Sequence, residues 1–332
     1  MLLRLTMKKN IFISSLIIFL SIVLIIFCPL FGANFISPFA LLARDEVLLK
    51  IFVLLRLPRV LLGFFVGGIL SLCGLVFQAL FRNSLASPDM LGVSSGASFG
   101  AVSYIKLGVV SSFLYGLKNG LSYFAFLGAI LAMVILFSAV AVKKEGASTA
   151  FLLLLGIVLN FMFSAFTMIV QYSGGYIDTF RMMRWTMGGL HAINFSPILL
   201  VMIIAIFCIL LCLLLAPTLD LILCGEELAQ TRGVNVKGVK IIFLLVVSVA
   251  IAIVVSIAGP IGFVGLMCPH ITKLILHTNH RALAINSFFI GGSFLVICDT
   301  LARVVTAPQE LPVGVVTSCL GSLFLLFLLL RK

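Results

Sequence analysis

Apolar positions along this chain come in long unbroken runs rather than alternating with polar ones. Ile11–Phe31, Phe195–Pro217 and Ile241–Ala258 contain no Asp, Glu, Lys or Arg. Each is about 18 to 23 residues long, close to the ~20 helical residues that cross a hydrocarbon core of ~30 Å. Lipid offers backbone N–H and C=O groups no partner, so such runs are helices. Continuous apolarity also excludes a membrane β-barrel, whose strands alternate. The expected fold is all-α and polytopic, one transmembrane domain over residues 1–332. Ten spans are predicted, at about 11–31, 60–81, 90–107, 121–142, 150–172, 195–216, 239–258, 262–276, 283–305 and 312–330. Gly63, Gly67, Gly68 and Gly74 interrupt the second span, and small residues at such spacing let helices approach closely in lipid. The eighth span, around Pro269, is short and broken. Spans 2–5 and 7–10 form two blocks of similar length, a hint of the internal repeat common in transporters that hydropathy alone does not establish.

Composition removes alternatives. Hydrophobic residues make up 63% of the chain and charged residues 10%, against about 45–50% and about 25% in soluble domains. A water-soluble chain of that make-up would expose patches that aggregate. The net charge of +12 points towards nucleic acid, but the basic residues are scattered through short loops. Membrane topology explains them better, because cytoplasmic loops retain Lys and Arg. Arg4, Lys8 and Lys9 before the first run mimic a signal peptide. The run itself, about 21 residues, exceeds an h-region of 7–15, so it reads as an uncleaved first span that starts in the cytoplasm. Even-numbered spans then end inside, and more than half of the 22 Lys and Arg fall on cytoplasmic segments. Arg56, Arg59 and Arg303 stay outside and need a reason beyond topology. Eight cysteines occur without a Cys-x-x-Cys, six of them in apolar spans; they read as small packed hydrophobes, with no redox or zinc role. There is no room for a soluble domain and no Walker motif.

Four polar segments carry information. Arg56-Leu57-Pro58-Arg59 sets two guanidiniums at the mouth of a Gly-rich span. Arginine's rigid fork suits bidentate carboxylate recognition, and interfacial snorkelling is the plain alternative. Gln78 and the stretch Arg82-Asn83-Ser84-Leu85-Ala86-Ser87-Pro88-Asp89, continued by Leu91 to Ala97, form a polar turn followed by a Gly/Ser-rich helix. That segment reads either as a structural hairpin or as a pore lining. Gly225-Glu226-Glu227-Leu228-Ala229-Gln230-Thr231-Arg232-Gly233 has acids at a helix start and a terminating glycine. It is either a surface a partner can push or an ordinary loop. The fourth runs from Gly259 through Phe263-Val264-Gly265 and Pro269-His270 to Asp299, Arg303 and Glu310-Leu311-Pro312. Asp299 precedes Arg303 by four residues, the spacing of a helical ion pair. His277 and His280 lack a third ligand, so no metal site is expected.

Together these segments resemble the permease family of bacterial importers for iron–siderophore, haem and vitamin B12 chelates, the transmembrane subunits of type II ATP-binding cassette importers. The resemblance covers about Arg56 to Arg331 and rests on RLPR, the Asn83–Ala97 segment, GFVGLMCPH, DTLAR and ELPVGVVT in that order. It implies a homodimer, or a pair with a paralogue, of ten-span permease subunits. It further implies two cytoplasmic ATP-binding subunits and an extracytoplasmic substrate-binding protein. Under it, Arg56, Arg59 and Arg303 dock acidic residues of the binding protein. Gly225, Glu226, Glu227, Ala229 and Gly233 belong to the loop that sits in a cleft of the ATPase, and Asn83, Leu85, Ser148 and Thr149 to cytoplasmic gates. The sequence departs from the family at Ser84 (usually proline), Arg232 (usually leucine) and Lys273 (usually arginine), and Gly321-Ser322-Leu323 lacks a usual proline.

The resemblance implies transport without chemistry: this chain binds no cofactor, and ATP with Mg is used by the partner ATPase. The cargo is expected to be a metal chelate, with siderophore ahead of haem and cobalamin, on a pathway lined by Ser, Thr, Gly and apolar side chains. An ion-coupled secondary transporter is the alternative. Such proteins carry functional carboxylates near the bilayer midplane, whereas the ten acids here fall in loops or near span ends. A membrane enzyme is disfavoured by the absence of any catalytic carboxylate cluster, metal-ligand set or Ser/His/Asp arrangement. The expected location is the bacterial plasma (inner) membrane, multi-pass, with both termini cytoplasmic and no nucleic-acid partner.

Overall fold

Asp45 opens the first long helical stretch after the N-terminal helix, its carboxylate accepting the amides of Val47 at 3.0 Å and Leu48 at 3.3 Å. In the computed structural model, residues 2–32, 34–39, 45–110, 119–142, 149–190, 195–276 and 278–330 are described. Of residues 2–8, 109, 110 and 149 only the backbone is described. Ser148 and His277 lie outside the described residues, as does the side chain of Thr149. Among the described residues there is no strand. The helices are α1 Leu2–Phe27, α2 Glu46–Ile51, α3 Leu57–Leu80, α4 Val93–Val110, α5 Gly120–Val142, α6 Thr149–Tyr172 and α7 Tyr176–Thr186. They continue with α8 Ser196–Cys224, α9 Glu226–Thr231, α10 Val236–Ala258, α11 Val264–Ile275, α12 His280–Val304 and α13 Val313–Leu330.

Eight of these stretches are long and apolar enough to cross a membrane, and α4 and α11 stand where the third and eighth spans are expected. Two span boundaries differ markedly from expectation, and one further helix lies between spans. The second span begins far ahead of residue 60, because α2 runs into α3 through a π turn at Phe52–Arg56, where the Leu57 amide reaches the Phe52 carbonyl. That wider turn sits just before Pro58, whose ring lacks an N–H and crowds a regular preceding turn. Glu46, Lys50, Arg56 and Arg59 lower the local hydropathy without breaking the helix. The sixth span continues past Pro217 to Cys224; the Thr218 hydroxyl donates to the Leu215 carbonyl at 2.6 Å within that turn. Between the fifth and sixth spans lies α7.

The chain divides into two compact units. The first comprises residues 1–87, 190–244 and 263–332. Its centre is the antiparallel pair α3 and α12. A Cβ on Gly67 would lie 2.4 Å from the Gly291 carbonyl, and one on Gly292 2.6 Å from the Phe64 ring and carbonyl. Between them the Ser71 and Ser287 hydroxyls meet at 2.7 Å, both residues fully buried. Helix α11 is pressed against α3 still more closely, since a Cβ on Gly74 would fall 1.6 Å from the Gly265 carbonyl. Helix α1 lies along α12 and runs parallel to it. Asn286 Nδ2 donates to Ser14 Oγ at 2.9 Å, and Ser293 Oγ to Ser21 Oγ at 2.7 Å, one rung seven residues beyond the other on both helices. Parallel α1 and α12 require an odd number of crossings between them. That number is seven only when the short, Pro269-containing α11 counts as one, which gives ten in all.

The second unit comprises residues 88–189 and 245–262. Gly96 and Gly100 on α4 form a small-xxx-small pair against α5, with a Cβ on Gly96 2.6 Å from the Gly128 carbonyl. On its other side α4 meets α6 through Phe99, whose ring centroid is 6.0 Å from that of Phe163 and 5.8 Å from that of Phe166.

Replacing Gly74 by valine is expected to abolish recovery of folded protein, because its side chain collides with backbone that cannot rotate away. Gly108→Ala, where an added Cβ meets nothing within 4 Å, should leave yield and thermal midpoint in detergent unchanged. Size-exclusion chromatography of the two variants checks the contrast.

Candidate functional site

At one end of the first unit, the start of α3 and the last turns of α12 build a charged cluster. Arg59 holds Asp299 through Nη2 at 2.9 Å and Nε at 3.0 Å, and its Nη1 reaches Glu310 Oε2 at 2.7 Å. Arg303 Nε stands 3.0 Å from the other oxygen of Asp299, the helical pair the spacing predicts. Its Nη1 donates to the Phe31 carbonyl at 2.9 Å and its Nη2 to Thr300 Oγ1 at 3.2 Å. The side chains of Asp299 and Arg303 are only 1% and 4% exposed, so the cluster is charge-balanced because burial of an unpaired ion is costly. Arg56 differs. Its guanidinium takes the carbonyls of Pro29, Leu30 and Asn34 at 3.2, 3.0 and 2.7 Å, and among the described residues no carboxylate pairs with it. The structure thus gathers all three predicted arginines at one end of the unit. It also shows that Arg59 and Arg303 are engaged within the chain, while half-buried Arg56 keeps an unneutralised charge.

The opposite end of α3 is held by Gln78. Its Nε2 donates to the Leu266 carbonyl at 3.0 Å and its Oε1 accepts from Lys273 Nζ at 2.9 Å, so Lys273 tethers α11 to α3. Beyond it Asn83 Oδ1 accepts the Leu85 amide at 2.9 Å and the Asn83 carbonyl accepts the Ala86 amide at 3.1 Å. Asn83 thereby closes the turn that Ser84 leaves without a proline, and Leu85 projects half-exposed from it. Of the four predicted gate residues only these two have described side chains. The predicted helix–turn after α8 is present as α9. Gly225 enters it at φ 144°, Ala229 is fully buried, and Glu226 reaches back to Lys240 on α10 at 2.7 Å. Gly233 leaves the turn at φ 81°, accepted by the Gln230 carbonyl at 2.9 Å, with open space around it. Glu227 and Leu228 face outward.

The second unit contains a cavity of about 440 Å³, lined in part by Asp89, Ser94 and Ser95 of the segment read as hairpin or pore lining, and in part by an α6 face that the motif reading missed. Ser94, Ser95 and Ser98 of α4 line it, together with Asn160, Ser164, Thr167 and Gln171 of α6. The α6 set is spaced four, three and four residues apart, a single helical stripe. The signal was present in the sequence, but the apolar average of the span hides it. Asn160 Nδ2 donates to the Asp89 carbonyl at 3.0 Å and Ser94 Oγ to Asp89 Oδ1 at 3.3 Å. Among the described residues Asp89 is the one ionisable residue of the lining. The rest of the wall presents neutral hydroxyls and amides together with Met168, Pro260 and Ile261.

The FecCD transport family model matches residues 17–331. The chain belongs to the FecCD transport family. This FecCD chain is similar to the cobalamin import system permease BtuC of Halobacterium salinarum, at 38% identity over 83% of this chain and 72% of the relative. It is 34% identical to the hemin transport permease HmuU of Yersinia pestis over 87% of this chain and 86% of the relative. The iron(3+)-hydroxamate permease FhuG of Bacillus subtilis is 33% identical over 87% and 85%. A solved inward-facing conformation of a putative metal-chelate type ABC transporter superposes with a TM-score of 0.81 at 25% identity, covering 96% of this chain and all of that one. The FecCD protein is accordingly a multi-pass permease subunit of a type II ATP-binding cassette importer, a family in which separate subunits hydrolyse ATP. The ion-coupled alternative finds no support among these relatives.

Asp299→Ala is expected to cost about 3–5 kcal/mol, since it strands two buried guanidiniums. Glu310→Gln, at a side chain 39% exposed, should cost at most about 1 kcal/mol. Thermal unfolding of the two FecCD variants in detergent checks the ranking.

Proposed function

We propose that this permease pairs with a second permease subunit, a copy or a paralogue, and with two cytoplasmic ATP-binding subunits and an extracytoplasmic binding protein. In this reading it imports an iron chelate into the cytoplasm, with siderophore ahead of haem and cobalamin. The whole chain acts as one permease domain in the bacterial plasma (inner) membrane, with both termini cytoplasmic. It binds no cofactor of its own, and Mg and ATP act on the partner subunits. The observation that carries the cargo reading is the cavity wall in which serine, threonine, asparagine and glutamine side chains are interleaved with Met168, Pro260 and Ile261. Chelates present carbonyl and hydroxyl oxygens around a sequestered metal. Neutral hydroxyls and amides exchange hydrogen bonds with those oxygens at about 1 kcal/mol each, so the cargo is recognised without being held. A fixed cation would bind an anionic chelate more strongly and slow its release.

Transport then needs two states favoured by different contacts. ATP in the partner subunits acts through Gly225, Glu226, Glu227, Ala229 and Gly233. The gate residues Asn83, Leu85, Ser148 and Thr149 open and close the cytoplasmic end. Docking of the binding protein falls to Arg56, Arg59 and Arg303. Their in-chain contacts refine the roles: Arg56, with no carboxylate of its own, meets an acid of the partner directly. Arg59 shares its fork between Asp299 and the incoming group, and Arg303 holds Asp299 in place.

Reconstituted with its ATPase and binding protein, the permease should take up chelate only with ATP; uptake from an ion gradient alone would refute the reading. The Arg56→Glu/Arg59→Glu variant is expected to weaken binding-protein docking at least about tenfold, the effect of placing like charges at a contact. Surface plasmon resonance on the assembled transporter measures it, and an unchanged affinity removes the docking role.

A further inference from the structure

One helix of the first unit carries both ends of the proposed machinery. The last turns of α12 bear Asp299, Thr300 and Arg303 of the charged cluster. Its first turn is tied to α8, the helix that leads directly into α9. Asp220 on α8 places Oδ1 against the Nδ1 of His280 and also accepts the His280 backbone amide at 3.2 Å. A carboxylate there caps the positive end of the α12 dipole, beside Asn279, whose own side chain accepts the Ala282 amide at 3.4 Å. Asp220 lies five residues before Gly225, where α8 gives way to α9. The first residue of α9, Glu226, is tied in turn to Lys240 on α10 at 2.7 Å. The short helix therefore starts between two polar tethers, one of which ends on α12.

His280 is an expensive residue for this position. Its side chain is 4% exposed, and its Nε2 has no partner among the described residues. A buried ring nitrogen without a partner carries a desolvation cost that an apolar ring of the same shape avoids. Stability alone is thus a poor account of an imidazole there, whereas a directed bond to Asp220 needs one. The rest of α12 is built to move as a body. It is 25 residues long, about 37 Å at 1.5 Å per residue, locked to α3 through Gly67, Ser71, Ser287 and Gly291 and to α1 through two serine rungs.

We propose that Asp220 and His280 are a positioning pair that joins the ATPase-facing helix α9 to α12, so that docking at the Asp299–Arg303 end is reported to the ATPase. The inference rests on the coupling and docking roles proposed above and adds the residues that connect them. The pair touches neither nucleotide nor cargo.

The test uses the complete transporter in lipid nanodiscs, with basal ATP hydrolysis and its stimulation by cargo-loaded binding protein measured side by side. His280→Phe keeps the apolar bulk and removes the ring nitrogen facing Asp220. Folding should be retained or improved, basal hydrolysis and docking affinity unchanged, and stimulation reduced about five- to tenfold, the low end of typical coupling between sites. Asp220→Asn, whose neutral Oδ1 accepts more weakly, should show a smaller loss of the same kind, and Asp220→Glu, which keeps the carboxylate, should restore most of the stimulation. Wild-type stimulation in His280→Phe overturns the proposal, even if Asp220→Asn fails to assemble. Gly233→Phe separates this pair from the reading beneath it. If that variant couples normally, the coupling role of the loop falls and the pair falls with it. If it uncouples while His280→Phe stimulates fully, the pair alone is wrong.

Discussion

The close approach of α3 and α12 is the constraint on which the first unit depends. Lipid tails are as apolar as leucine side chains, so no hydrophobic drive holds two helices together inside a bilayer, and association rests on dispersion over a tight contact. Gly67 against Gly291 and Gly292 against Phe64 supply that contact, with the Ser71–Ser287 hydrogen bond fixing its register. Arg59 meets Asp299 only because these helices are antiparallel in this register, and Gln78 is brought to Leu266 and Lys273 by the separate α3–α11 contact at Gly74. A slide of one turn would part the arginine from its acid and leave buried charges alone.

The second constraint is that polar atoms away from water must find partners within the chain. The molecule answers in two ways. Where charge is present it is concentrated and balanced, as in Arg59, Arg303, Asp299 and Glu310. Where passage is proposed, Asp89 is the one ionisable side chain among the described lining residues, and hydroxyls and amides share the wall with Met168, Pro260 and Ile261. This division suits a permease of the FecCD family: strong interactions hold structure and docking, and weak exchangeable ones face the cargo.

Much of this was legible beforehand. Ten apolar runs predicted the helices, Asp299 and Arg303 their i,i+4 pair, and Glu226-Glu227 followed by Gly233 the short helix α9. The ordered motifs identified the family that the residues 17–331 match confirms. Less legible were elements whose local hydropathy misleads. Glu46, Lys50, Arg56 and Arg59 disguised the start of the second span, Pro217 seemed to end the sixth, and the eleven-residue α7 is too short and polar to stand out. The stripe Asn160, Ser164, Thr167 and Gln171 could have been read from its spacing, but a window average dilutes four polar residues among apolar neighbours.

What the sequence determined by itself was the set of membrane helices, their order and the family, because transfer into lipid is a sum over neighbouring residues and a motif is a local string. What only the tertiary structure decided was which distant side chains meet. Asp220 with His280, Arg59 with Asp299 and Glu310, and Ser14 with Asn286 are pairings across 60 to 272 positions. They also left Arg56 on three backbone carbonyls and Arg303 buried. Such pairings depend on helix register, and register is set where glycine faces let two backbones touch. That is a property of two surfaces together, and neither segment carries it alone.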